Sequence, residues 1–225
     1  ASVSALKQVL RSPAHYRAWL DGGRLKASRA LDFGRAFHVA LLEPDVFLSN
    51  WTVRPDFGDC RKTDNRKARD EWSEANATKH VVSEDDARQI LAMRESILAH
   101  PIGRKLLTAE GECEYTVRWQ DESTGLACKA RADKLVKAWG VTTCIDLKTA
   151  QDASPEGFAK ACANWSYHMQ DAHYRDGFQV DHFVFVAVEK EPPYAVGVYE
   201  LDHEALEAGQ AMRHDAMARL KHCVD

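Results

Sequence analysis

Two short stretches carry acids where a strand is expected to be apolar. In "CKARADKLV", residues 128–136, Lys129, Arg131 and Asp133 alternate and so share one face of an extended segment, while Cys128, Ala130 and Ala132 take the other. In "CIDLKTA", residues 144–150, Ile145 and Leu147 point one way and Asp146 and Lys148 the other. Two neighbouring strands thus each offer a carboxylate, Asp133 and Asp146, from an otherwise apolar sheet. Like charges held close in a core repel, and they persist where something positive sits between them. A divalent cation does this best, so the chemistry to expect is metal binding by paired acids.

Asp146-x-Lys148 alone says little, because roughly one such tripeptide is expected by chance in a chain of this length. Its plain explanation is an exposed strand ion pair. Its company is more telling. Asp133 precedes it by the length of a strand hairpin, and Gln170 and Tyr174 follow at i and i+4, on one face of a helix. Upstream, "GRAFHVALLEPDVF" puts His38 in an apolar helical stripe with Ala36, Phe37, Ala40, Leu41 and Leu42. Taken singly, the pair Gln170 and Tyr174 reads as the polar edge of a buried helix, and His38 as a satisfied core histidine. Their combination is what asks for a site.

The elements that must position these residues follow from periodicity. Ser4 stands ahead of Leu6, Val9 and Leu10 as the cap of a short first helix, and Pro13 opens a second turn with Tyr16 and Trp19. A helix from about 29 to 42 ends before Pro44. Residues 54–70 are polar, basic and weakly periodic, an exposed segment; helices over about 65–77 and 84–99 follow, the latter capped by Ser83 and stopped by His100-Pro101. After Gly111 the period changes to two in "ECEYTVRW", "LACKARADKLV" and "TTCIDLKTA", a three-stranded meander. One helix over about 155–178, strands "HFVFVAV" and "AVGVYEL", and a last helix over about 203–221 complete the order. The expectation is an α/β (α+β) fold: a central mixed five-stranded sheet flanked by helices, with helical N-terminal additions. All 225 residues read as a single domain, mainly helical over 1–110 and with the sheet core over 111–225.

Composition narrows the function. Forty-five per cent hydrophobic content suffices for a full core, and neither a membrane span nor a signal-peptide pattern is visible, so the cytoplasm is the expected location. Cys60, Cys113, Cys128, Cys144, Cys162 and Cys223 lie far apart without a C-x-x-C pair, so they read as free and mostly buried thiols, with neither zinc nor an iron-sulfur cluster. A net charge of −4 gives no global attraction to nucleic acid, and any DNA contact must be local or metal-assisted.

Taken in order, Gly34-x-x-x-His38, Ala132-Asp133, Asp146-x-Lys148-Thr149 and Gln170-x-x-x-Tyr174 resemble the RecB-like branch of the PD-(D/E)XK nucleases. More closely, the chain is similar to the RecE-like exodeoxyribonuclease VIII family, through "LDFGRAFHVALLEPDVF", "CKARADKL", "IDLKTA" and "YHMQDAHYRDGF" as well as the opening "SPAHY". Asp at position 146, where many relatives carry Glu, is normal in the RecE-like group. The resemblance implies a restriction-endonuclease-like core. It implies that His38, Asp133, Asp146 and the backbone carbonyl of Leu147 hold Mg2+, for which Mn2+ can substitute, and that Gly34 lets its helix approach its neighbours closely. It makes Asp133, Asp146, Lys148, Gln170 and Tyr174 catalytic, with Lys148 as water positioner or proton acceptor and Gln170 and Tyr174 fixing the phosphate or orienting Lys148.

The resemblance further implies an enzyme that degrades linear double-stranded DNA from 5′ ends, leaves 3′ single-stranded tails, forms a homo-oligomeric ring such as a tetramer, and partners a RecT-like single-strand annealing protein. Around the site, Arg131 and Lys129 can contact neighbouring phosphates, though Arg131 can equally pair with an acid. Glu114 is either an accessory metal group or a solvent-facing strand residue. Arg61, Lys62, Arg66, Lys67 and Arg69 have the density of a phosphate-tracking surface or of a solvated helix start. The rival readings are an endonuclease or 3′ exonuclease on the same fold, a non-catalytic DNA-end-binding module, and a structural protein whose acids merely bind a cation.

Overall fold

The period-two stretches pair into one sheet. In a computed structural model, which describes residues 1–22, 29–138 and 140–224, the chain forms two compact units, Ala1–Lys26 with Ile97–Asp225 and, separately, Ala27–Ser96. The N-terminal helices α1 (Val3–Arg11) and α2 (Pro13–Leu20) therefore belong with the sheet.

The smaller unit holds α3 (Arg29–Leu42), α4 (Pro44–Asn50), β1 (Trp51–Arg54), α5 (Thr63–Ala75), β2 (His80–Ser83) and most of α6 (Glu84–Ala99). Ser83 accepts a hydrogen bond from the Asp86 N–H at 3.0 Å and so caps α6 as its position suggested. Strands β1 and β2 pair in parallel, Trp51 opposite His80. Four-residue strands inside a mainly helical sequence carry too few residues for alternation to register, and this ribbon was not expected.

In the larger unit α7 (Pro101–Thr108) precedes β3 (Gly111–Gln120), β4 (Ala127–Ala138) and β5 (Val141–Ala150); α8 (Pro155–Trp165) and α9 (Tyr167–Phe178) lead to β6 (His182–Glu189), β7 (Val196–Tyr199) and α10 (His203–Val224). The sheet order is β3-β4-β5-β6-β7, antiparallel except for β5 and β6, which run parallel. A parallel pair needs a crossover, and α8 with α9 supply it. This is the expected mixed five-stranded sheet with flanking helices.

The small-residue face of β4 is covered as its alternation implies. Cys128 packs with Met169 of α9 and with Ala216, Met217 and Leu220 of α10, while Ala132 joins Phe158, Phe183 and Phe185. Leu6 and Val9 anchor α1 in the first of these clusters. Glycine allows the closest helix contact: a Cβ on Gly209 of α10 would collide with the His168 carbonyl of α9.

Several expectations need correction. The helix expected over 155–178 is two helices, because Ser166 adopts a left-handed conformation (φ 53°) that ends α8 and turns the chain into α9. Ser2, not Ser4, caps α1, accepting from the Ala5 N–H at 3.4 Å. Among the described residues of its own unit, a Cβ on Gly34 would meet nothing within 4 Å, so no close approach there depends on the glycine. All six thiols are free, but only Cys128, Cys144 and Cys162 are buried; Cys223 is exposed in the last turn of α10. Among the described residues no helix is long and apolar enough to cross a membrane.

Candidate active site

The ladder between β4 and β5 runs from Ala138 opposite Val141 to Lys134 opposite Ile145, and there it stops. The next residues in register are Asp133 and Asp146, both buried. Instead of a ladder bond, the Asp133 carboxylate accepts the Leu147 backbone N–H at 2.7 Å. The two strands part where the two acids stand. A side chain thus satisfies a buried peptide group that the ladder leaves behind.

On β5, Asp146 and Lys148 share a face, and Gln170 from α9 closes on both. Its Nε2 donates to Asp146 Oδ1 and its Oε1 accepts from Lys148 Nζ at 3.1 Å, while Lys148 Nζ also pairs with Asp146 Oδ2. Burial alone depresses a lysine, but the Asp146 and Asp133 carboxylates more than offset it and hold the Lys148 ammonium above its usual range. These residues are placed by packing: Met169 and Ala172, Gln170's neighbours on α9, are buried in the interior.

A third acid stands across β3. Cys113 pairs with Lys134 and Tyr115 with Ala132, so Glu114 falls opposite Asp133, yet that pair is absent from the ladder. Glu114 adopts φ 52°, the left-handed region that costs a non-glycine residue energy and is tolerated mainly where function or packing demands it. A carboxylate oxygen of Glu114 lies within 4.8 Å of one on Asp133. Arg131 Nη1 pairs with Glu114 Oε2 at 2.6 Å, the acid partner that one of its two sequence readings expected.

Two residues that sequence reasoning passed over also reach the site. Tyr167, the first residue of α9, has Lys148 Nζ 4.6 Å from its ring centroid, and Lys7 Nζ of α1 lies 6.0 Å from the same centroid. Burial, and then the Lys148 ammonium, lower Lys7 to about 8, with Asp146 pulling the other way. No local signal marks Lys7, which sits next to Leu6 in an ordinary amphipathic helix; only the docking of α1 by Leu6 and Val9 brings it here.

The remaining predicted residues lie on other elements. Tyr174 packs against Phe178 and Phe183, and burial pushes its hydroxyl well above the usual range. Its ring lies against the aromatic core, and the Asp146 and Asp133 carboxylates push the hydroxyl up further. Lys129 is exposed on β4, its backbone N–H bonded to the Ala1 carbonyl at 2.8 Å. His38 is half-buried on α3 of the other unit, its ring edge-on to Phe37 at 6.0 Å. Arg61, Lys62, Arg66, Lys67 and Arg69 are exposed at and after the start of α5; Lys67 pairs with Glu71 at 3.7 Å and Arg69 with Asp70 at 2.6 Å.

The acids offer oxygen donors of the kind that a hard divalent cation such as Mg2+ or Mn2+ selects: carboxylate oxygens of Glu114 and Asp133 stand within 4.8 Å of each other, and the buried Asp146 is next in register to Asp133. An ammonium beside them can meet an anion that the cation also attracts.

Residues 2–225 match the model of a family described as a PDDEXK-like domain of unknown function (DUF3799). A solved structure, described as a "Putative exonuclease" from Eubacterium rectale, is similar over 98% of this chain and 80% of its own, with a TM-score of 0.60 at 14% identity. Another, described as SSO0001, aligns over 84% of each chain at 17% identity and a TM-score of 0.36. None of the curated proteins matches the sequence.

Proposed function

Because the chain belongs to the PDDEXK-like domain family, we propose that it is a divalent-metal-dependent exodeoxyribonuclease acting on linear double-stranded DNA. The observation that carries this reading is the coupling of Asp146, Lys148 and Gln170 beside Asp133, at the point where β4 and β5 separate. Paired acids with an adjacent ammonium suit phosphodiester hydrolysis, in which negative charge builds on the phosphate.

In this reading Asp133, Asp146 and the Leu147 carbonyl hold Mg2+ or Mn2+, with His38 as a further ligand. Bound there, the cation supplies an activated water and charge neutralisation at the scissile phosphate. The protein's own residues do the positioning. Gln170 fixes the acid and the amine relative to each other. The Lys148 ammonium orients the attacking water and offsets charge on the phosphate oxygens, and the Leu147 N–H keeps the Asp133 carboxylate aimed. Tyr174 supports α9 from the aromatic core.

The RecE-like motifs support the finer reading: 5′-to-3′ degradation leaving 3′ tails, a homo-oligomeric ring such as a tetramer, and a RecT-like annealing partner in the cytoplasm. Both compact units then serve one nuclease domain, in keeping with a family model that spans them. Arg61, Lys62, Arg66 and Lys67 are the exposed cations proposed to follow the DNA backbone, together with Lys129 on β4.

The test is digestion of 5′- and 3′-labelled linear duplex with and without Mg2+, beside closed circular duplex and the Asp146→Ala variant. Loss of the 5′ label from linear DNA alone, abolished by Asp146→Ala, is the expected result. Cutting of the circle replaces the exonuclease reading with an endonuclease. Hydrolysis that survives Asp146→Ala removes the site.

A further inference from the structure

Lys7 and Lys148 reach one aromatic ring from different elements, α1 and β5. Their ammonium groups lie 6.0 and 4.6 Å from the Tyr167 centroid, so they are no further apart than those two distances together. Two consecutive phosphates of a strand can span such a gap. The ring's electron-rich face attracts both cations.

The surroundings of the two amines differ. Lys148 has Asp146 and the Gln170 carboxamide as partners. Lys7 pairs with no carboxylate among the described residues, although it is half-buried and its α1 neighbours Leu6 and Val9 are locked in the core. Two like charges near one another, one of them without an acid, form an arrangement that an incoming anion stabilises.

We propose that Lys7 is a substrate-binding residue whose ammonium contacts a DNA backbone phosphate next to the one positioned at Lys148. The inference rests on the nuclease reading for its substrate and goes beyond the family motifs, none of which includes Lys7. Burial, and then the Lys148 ammonium, lower its proton affinity against the pull of Asp146, and a bound phosphate would raise it.

The experiment compares wild type with Lys7→Met, Lys7→Gln and Lys7→Arg, using the full chain. Binding of a short blunt duplex is measured with Ca2+ in place of Mg2+ from about 50 to about 200 mM salt. The slope of log affinity against log salt should flatten by about 1 in Lys7→Met and Lys7→Gln and return in Lys7→Arg. A folded fraction that circular dichroism shows to be constant over that salt range shifts the intercept and not the slope, so a less stable variant still reports. In Mg2+, KM should rise about tenfold while kcat changes by less than about threefold. An unchanged slope and KM in both neutral variants would overturn the proposal and leave Lys7 as a packing residue. Wild type that leaves every duplex intact would instead sink the nuclease reading, and the slopes in Ca2+ would still decide whether Lys7 meets a phosphate.

Discussion

The Asp133 carboxylate and the Leu147 peptide are joined by a 2.7 Å hydrogen bond at the place where β4 and β5 cease to pair. One acid therefore closes the gap in the sheet and, in the proposed function, also belongs to the cation-binding set. The two roles separate by substitution. Asn at this position can still accept the N–H, whereas Ala leaves it buried without a partner, at a cost of about 1–3 kcal/mol. Both Asp133→Asn and Asp133→Ala should lower hydrolysis more than about 100-fold, beyond the usual loss for an outer partner of a metal ligand. In metal-free urea denaturation only Asp133→Ala should be clearly destabilised, because Asp133→Asn also relieves repulsion from Asp146 and Glu114. Mg2+ should raise the thermal midpoint of wild type and leave that of Asp133→Asn unmoved. Equal stability of the two variants would show that the Leu147 bond contributes nothing.

Gln170 can be tested in the same spirit. Hydrogen bonds to charged groups are worth about 1.5–3 kcal/mol, and misplacement of Lys148 acts in the reaction and not in DNA binding, so Gln170→Ala should lower kcat about 10- to 100-fold with little change in KM. Gln170→Glu should fall further, since a carboxylate would face Asp146. A Gln170→Glu variant as active as Gln170→Ala would remove the argument from polarity.

Buried groups on α9 give a pH test. Burial raises Asp171 to about 6 despite Arg175, 2.6 Å away, so between the usual carboxylate value and about pH 6 the folded state keeps a proton that the unfolded chain has released. Stability from this group falls as pH rises through that window. Burial lowers His173 to about 4, so between about 4 and the usual imidazole value the unfolded chain holds the extra proton and stability rises with pH. The two trends oppose each other in wild type. Asp171→Asn should gain about 1–3 kcal/mol near about pH 7.5, gain nothing below about pH 3.8, and lose stability more steeply than wild type on acidification between them. Denaturant titrations at those pH values decide, and a uniform gain at all of them would contradict the assignment.

Gly209 links packing to the site. Its α-carbon face meets the His168 carbonyl, two residues before Gln170. Gly209→Ala must push α10 and α9 apart, and overpacking of this kind costs about 1–3 kcal/mol. Thermal unfolding should show that loss, and kcat should drop along with it because α9 carries Gln170. A fully stable, fully active Gly209→Ala would mean that the two helices separate without disturbing the amide.

Side-chain alternation was enough to find the sheet and to put Asp133, Asp146 and Lys148 on strands, because a period of two is a local property. The face shared by Gln170 and Tyr174 was visible in the same way, but not that Gln170 bridges acid and amine while Tyr174 turns into the aromatic core, since i, i+4 spacing does not say what lies opposite. Ser166 gave no warning of its left-handed turn: serine is not a residue that demands one, and apolar periodicity continues across it. The skipped pairs at Glu114 and Asp133 arise between strands, where one strand's pattern carries no information. Lys7 shows the same limit, because its place depends on how α1 docks and not on its neighbours in sequence.

A carboxamide has no proton to lose over the range in which DNA stays double-stranded, and its two ends are unlike. Turned over, Gln170 would set an oxygen against the Asp146 carboxylate and an N–H against an ammonium. Its unlike neighbours thus choose a single orientation, and the amide works as a latch blind to acidity: titration changes the groups on either side of it, while the part that keeps them in register stays the same.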